Sequence, residues 1–259
     1  MKLYSFECGV LNVKLNNIKA GWDVDQDYQI PVPWYVIEHP RGNILIDGGN
    51  AAAVAIEPEA HWGSITQWVK AVMDPSQFCG VALQRAGLSA DSIRYVIQSH
   101  LHHDHTGAIG NFPHAIHIVR RREIEYAYLP DRHAAPSYCR KDFDRLDLRW
   151  QFIEPSIDVV DFYSDGSVLL VPTPGHSPGH QSFLLNLPRT GPILLAIDAV
   201  VTMDHWHDRA LPGLTTSMSD ALRSVERLKA IVERTSAKLV PGHDPEAWRT
   251  ILRAPAFYN

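Results

Sequence analysis

The chain has 259 residues, 45% of them hydrophobic and 20% charged, with a formal net charge of -5. That composition builds a sizeable core without disulfides and excludes extended disorder, and the acidic balance excludes a nucleic-acid partner held by phosphate contacts. No window reaches the eighteen or more apolar residues of a membrane span, and "MKLYSFECGV" has no signal-peptide hydrophobic segment, so a cytoplasmic protein with no membrane partner is expected.

In chain order, "KLYSFECGVLNV", "VPWYVIEH" and "NILIDGG" read as strands, the last two separated by the turn signal His39-Pro40-Arg41-Gly42, which predicts an antiparallel opening. Trp62, Ile65, Trp68, Val69, Val72 and Met73 then recur at helical spacing, with their tryptophans read as core, and "FCGVALQRAGL" predicts a shorter helix. "DSIRYVIQSH" alternates as a strand, "AIHIV" is another, and "RREIEYAYL" a helix; the basic run Arg120 to Arg122 reads as solvated surface. Pro130 to Ser156 lacks clean periodicity and reads as a surface excursion with a helix or two. Strands return in "SVLLVPTPG", "HQSFLLNL" and "PILLAIDAV". A helix over Met218 to Glu233 follows, with Leu222, Val225, Leu228 and Val232 on one face. "AKLVPGH" is a short strand, and Asp244 with Pro245 opens a last helix as N-cap and first residue. Two halves of strands and helices without a linker predict a four-layer α/β/β/α sandwich, two mixed sheets flanked by helices, in one domain spanning residues 1–259.

Three scattered cysteines show no thiolate-zinc spacing, whereas fourteen histidines cluster unevenly. "SHLHHDHTG" places His100, His102, His103, Asp104 and His105 within six residues. The spacing does not fit the i, i+4 histidines of a zinc helix. On a loop leaving a strand, His100 and His102 can point one way and Asp104 and His105 the other, giving two incomplete half-sites of nitrogen and oxygen donors. His176, Asp198 and His243, each at the end of an apolar strand run, could complete them.

His100-x-His102-x-Asp104-His105, His176, Asp198 and His243, with the early Asp47 in "ILIDGG", resembles the metallo-β-lactamase superfamily over nearly the whole chain. The resemblance implies two divalent metal ions, zinc first, with manganese, cobalt or iron accepted by the same donors. It implies one ion at His100, His102 and His176, the other at Asp104, His105 and His243, and Asp198 bridging both. Asp47 would hold the histidine loop by hydrogen bonds without touching metal, and His103 fills a variable slot, read as outward or packing. The implied chemistry is hydrolysis by a hydroxide bridging two ions.

Within the superfamily, "KLYSFECG", "IPVPWYVIEHPRGNILIDGG", "GLSADSIRYVIQSHLHHDHTG" and "GHDPEAW" resemble the N-acyl homoserine lactone and pyridoxolactone hydrolases. That group implies a small-molecule lactone or ester substrate, ring opening at the carbonyl, and Asp104 as the residue passing a proton to the departing alkoxide. An esterase or thioesterase of the same superfamily is the alternative. One position departs from the group: the tyrosine three residues after the bridging aspartate is Val201. His205, Trp206 and His207 are then candidate donors to the substrate oxygen, Trp22 and Trp34 candidate pocket walls, and the loop from Gly21 to Gln29 a candidate homodimer contact. "GHSPG" also matches the nucleophile elbow of serine hydrolases, with Ser177, Asp198 and His243 in their order, but Pro178 and a strand follow where that motif needs a helix. A metal-binding module without turnover is the remaining reading.

Overall fold

The computed structural model describes residues 1–259. Its first half supplies β1 (Lys2–Lys14), β2 (Lys19–Ala20), β3 (Asp27–Glu38), β4 (Asn43–Ile46), β5 (Lys70–Val72), β6 (Ile93–Ile97), β7 (Ile116–Arg120) and β8 (Trp150–Ile153). The second half supplies β9 (Val160–Asp161), β10 (Val168–Pro172), β11 (Gln181–Leu187), β12 (Gly191–Ile197), β13 (Leu211–Pro212) and β14 (Lys238–Pro241). A seven-stranded mixed sheet runs β5-β1-β3-β4-β6-β7-β8 and a five-stranded mixed sheet β14-β12-β11-β10-β9, with β13 and β2 forming a separate small ribbon.

The layers follow from side-chain alternation. In β3 and β4, Tyr35, Ile37, Ile44 and Ile46 face Leu170, Phe183, Leu185 and Leu195 across the gap between the sheets. Their neighbours Trp34, Val36 and Leu45 turn the other way, onto Trp62, Ile65 and Leu83 from outer helical segments. In the second sheet Leu184, Leu194 and Ala196 point outward, beneath Val225, Leu228 and Ile231 of the Met218–Thr235 helix. Strands buried on both faces show continuous apolar runs, which is why "FLLNL" and "PILLAI" lack alternation. The result is the expected αββα sandwich.

The antiparallel opening forms as expected, with Gly42 N donating to His39 O at 3.0 Å in the turn. The Met218–Thr235 helix is capped by Ser217, whose side chain accepts from Asp220 N, and Asp244 accepts from Ala247 N at the last helix.

Several expectations need correction. The helix drawn through Trp62 to Met73 ends at Trp62; a 3-10 turn follows, and Val72 belongs to the edge strand β5. Trp68 is exposed rather than core, as is Leu222 on the long helix. The excursion after Pro130 contains the short helix Arg140–Phe143 but also β8, whose four residues are too few to show a period. Arg120 is no surface residue: it is buried, with Nη1 and Nη2 donating to the carbonyls of Ile157 and Asp158 and Nε to Gln181 Oε1.

Candidate metal centre and the cavity beside it

The strands that end at the site run in one direction within each sheet, so their C-terminal loops meet at one rim. Asp47 leaves β4 with a φ of 66° and is followed by Gly48 at 114°. A Cβ on Gly48 would sit 2.3 Å from Ala108 N, and one on Gly107 2.6 Å from Gly49 O. Glycine therefore lets the histidine loop lie directly on this turn. Asp47 fastens the loop, its carboxylate accepting from Ser99 N at 2.7 Å, Ser99 Oγ at 2.8 Å and His105 Nδ1 at 2.9 Å. The last bond leaves His105 Nε2 facing inward as a free donor atom, the arrangement in which a carboxylate orients a metal-binding imidazole.

His100, His102 and His176 come together as one group, and Asp104, His105 and His243 as another; within each, the ligand atoms lie within 4.8 Å of one another. Asp198 faces both. Its Oδ2 is 3.2 Å from His176 Nε2, and its Oδ1 is 3.1 Å from His243 Nε2 and 3.5 Å from His105 Nε2. All seven side chains are buried. His100 Nε2, His102 Nε2 and His105 Nε2 have no hydrogen-bond partner. Orphaned polar atoms in an interior are costly, and a pair of divalent cations would satisfy them together, so the residues fit such a centre.

Electrostatics divides the two groups. Burial holds His100 and His102 well below the ordinary histidine range, and like-charged neighbours add to it, so these imidazoles are neutral donors. Burial also opposes charge on His105, yet the carboxylates of Asp104, Asp198 and Asp47 overcome it and lift its pKa to about 10. His243 is raised against burial by Asp198 and Asp104 in the same way. Asp198 is held well below the carboxylate range despite its burial, by His243, His176 and His105. The negative potential of Asp104, Asp198 and Asp47 at His105 and His243 is the field a bound cation would meet.

Two supporting residues were not singled out from the sequence. His180, the second histidine of "GHSPGH", accepts from Asp198 N through Nε2 at 3.2 Å and donates from Nδ1 to Thr173 O at 3.1 Å, fixing the turn that presents Asp198. Glu123 is fully buried; it accepts from Leu101 N at 3.0 Å in the first histidine loop, and from Ser177 Oγ at 2.6 Å and Gly179 N at 2.9 Å in the loop of His176. One carboxylate thereby ties both loops together. Its sequence signal was position: Glu123 shares the inward face of its helix with Ala127, one turn on. The bond from Ser177 removes the nucleophile-elbow reading, since that hydroxyl is committed to Glu123 and the next element is β11.

An open cavity of about 570 Å³, its mouth included, lies beside the two histidine and aspartate groups, lined by Leu11, Val13, Ile18, Ile30, Val69 and Val201. A second, of about 580 Å³ with its mouth included, shares His176, Asp198 and Val201 with the first and is lined further by His205 and Leu222. His103 is packed, not outward: its ring meets the edge of Trp62 at 4.4 Å, Nδ1 donates to Ser137 O at 3.2 Å, and one side lines the first cavity. Of the expected pocket residues, His205 lines the second cavity and the others lie elsewhere. Trp34 is fully buried and stacked on Phe6 at 4.0 Å. Trp22 is exposed, with Lys19 Nζ 4.6 Å from its ring. Trp206 packs against the layer under the long helix, and His207 is exposed. His205 has no free nitrogen to offer, as Nδ1 accepts from Thr202 N at 3.0 Å and Nε2 donates to Ile18 O at 3.1 Å.

Residues 28–243 match the sequence pattern of the metallo-beta-lactamase superfamily. The chain belongs to that superfamily. It is 49% identical to the N-acyl homoserine lactonase AttM of Azorhizobium caulinodans, covering 100% of this chain and 99% of the relative. It is 30% identical to the N-acyl homoserine lactonase AiiA of Bacillus thuringiensis subsp. kurstaki, over 99% and 98% of the two chains. Its fold matches a solved N-acyl homoserine lactone hydrolase, with the product N-hexanoyl-L-homoserine bound at its catalytic metal center, at a TM-score of 0.89 and 28% identity, covering 99% and 98% of the chains. A solved quorum-quenching N-acyl homoserine lactone hydrolase matches at a TM-score of 0.86, also with 28% identity, over 99% and 98%. No helix of this superfamily member is long and apolar enough to cross a membrane.

Proposed function

We propose that this protein opens the lactone ring of N-acyl homoserine lactones using two divalent ions, zinc first among those its donors accept. The observation behind this reading is Asp198, whose two oxygens face the two ligand groups in the lining of a largely apolar cavity. His100, His102 and His176 would hold one ion and Asp104, His105 and His243 the other, with Asp198 shared. When bound, such ions supply a water acidic enough to attack at neutral pH and an electrophile for the carbonyl oxygen.

The chain's own groups do the rest. Leu11, Val13, Ile30 and Val69 receive the acyl chain and exclude water from it. Asp47 keeps the His105 ring turned inward. As the new bond from water oxygen to the carbonyl carbon forms and the bond to the ring oxygen breaks, the Asp104 carboxylate takes the water's proton and delivers it to the departing alkoxide. Val201 presents methyl groups where the lactonase resemblance implies a tyrosine, so no donor reaches the substrate from that position.

The test is a panel of acyl-homoserine lactones, pyridoxolactone, simple γ-lactones, open-chain esters and thioesters, each assayed before and after chelation and beside a serine-directed phosphonate. Ring opening of acyl-homoserine lactones that chelation abolishes and the phosphonate leaves intact is expected. Turnover surviving metal stripping, or confined to thioesters, would overturn the reading.

A further inference from the structure

Outside the centre just described, His61, Cys139 and Asp142 converge, each offering one ligand atom, and those atoms lie within 4.8 Å of one another. His61 lies in the last turn of the Pro58–Trp62 helix, Cys139 is the N-cap of the Arg140–Phe143 helix, and Asp142 lies within that helix. Cys139 and Asp142 are buried, whereas the His61 side chain keeps 17% of its surface, which leaves an entry path from solvent. His61 Nε2 is already 2.8 Å from Asp142 Oδ1. The Cys139 thiol has only a weak contact, with the His61 carbonyl at 3.5 Å. Asp142 Oδ2 accepts from Thr106 Oγ1 at 2.6 Å, a bond that orients the carboxylate with Oδ1 toward His61.

We infer that His61, Cys139 and Asp142 form a separate site for one zinc-like divalent cation. Thiolate, imidazole and carboxylate together suit zinc and cobalt, while calcium and magnesium prefer oxygen alone. Water from the His61 side would complete four ligands. Binding releases the thiol proton and the proton shared between His61 and Asp142, so a neutral imidazole, a thiolate and a carboxylate meet the ion. The ion would link two outer segments beneath the histidine loop, because Thr106, bonded to Asp142, directly follows His105. Its role is structural support, and it does not depend on which substrate the enzyme takes.

The seven ligands of the main centre include no sulfur, so a thiolate signal separates the two sites. Cobalt is titrated into metal-stripped enzyme while bound metal and near-ultraviolet absorption are followed. The expected result is a third equivalent per chain, arriving with thiolate-to-cobalt charge-transfer absorption. Cys139→Ser should lose both and keep two equivalents and lactone turnover. His61→Gln, at a partly exposed position, should weaken the third equivalent at least tenfold and guards against misfolding of the cysteine variant. Binding that stops at two equivalents without the absorption, or absorption that persists in Cys139→Ser, would overturn the inference.

Discussion

Asp198 is the residue at which the two ligand groups meet, and its burial makes its charge consequential. In Asp198→Asn one oxygen becomes an amide nitrogen that donates where its surroundings expect an acceptor, and the negative charge facing His176, His243 and His105 is lost. The variant should hold fewer than two metal ions per chain, and its turnover should fall by roughly two to three orders of magnitude or more, the scale of losing a preorganised electrostatic group. Elemental analysis beside a ring-opening assay measures both; full occupancy at the wild-type rate would remove Asp198 from its shared position. At this scale the sequence was most informative where residue type and spacing jointly limit the chemistry, as in "SHLHHDHTG". Glu123 and His180 were hidden because their roles arise only on burial: a glutamate in a charged helix looks like solvated surface until its carboxylate is seen to receive the amides of two loops. Trp34 and His205 show the opposite case, residues of pocket-lining type whose rings serve the fold: Trp34 stacks on Phe6, and His205 is hydrogen-bonded through both nitrogens while it lines the second cavity.

Among the elements, long strands with an inner and an outer face were legible, since apolar continuity marks burial on both sides. The edge strands β5 and β8, of three and four residues, were not, because a period cannot be read from so short a run. β7 has a further property. Its His117 is buried with Nδ1 unpartnered, and burial, aided by Arg145 and Arg149 and opposed by Asp147, lowers its pKa to about 4. The unfolded chain therefore binds this proton near pH 6.5, before the folded chain does. Stability from the neutral ring is complete above that value and lost as pH falls toward 4. His117→Leu removes the titration, so urea midpoints of both proteins at pH 7, 5.5 and 4 should show the wild type losing roughly 3 kcal/mol relative to the variant across that range. A difference independent of pH would mean that the ring charges within the fold without penalty.

For the whole molecule, the consequence lies in how the proposed ligands are divided. His100, His102, Asp104 and His105 come from the first sheet's half, and His176, Asp198 and His243 from the second's. The halves are joined elsewhere too: His243 Nδ1 donates to Pro31 O at 2.7 Å, and Leu3 and Tyr258 exchange backbone bonds of 2.8 and 2.9 Å that bring the C-terminus onto β1. Two ions shared between the halves would act as a staple that the unfolded chain cannot reproduce. Binding at a thousand times the dissociation constant adds about 4 kcal/mol to stability per site, and for a chain of this size each kcal/mol is worth about 2–4 °C in Tm. Chelation should then lower Tm by roughly 10 °C or more while the loss of far-ultraviolet and near-ultraviolet circular dichroism remains coincident, because the core between the sheets still couples the halves. Separate transitions for the two signals would mean that the halves are independent domains; an unchanged Tm after verified metal removal would mean that the ligands are held in place by the fold alone.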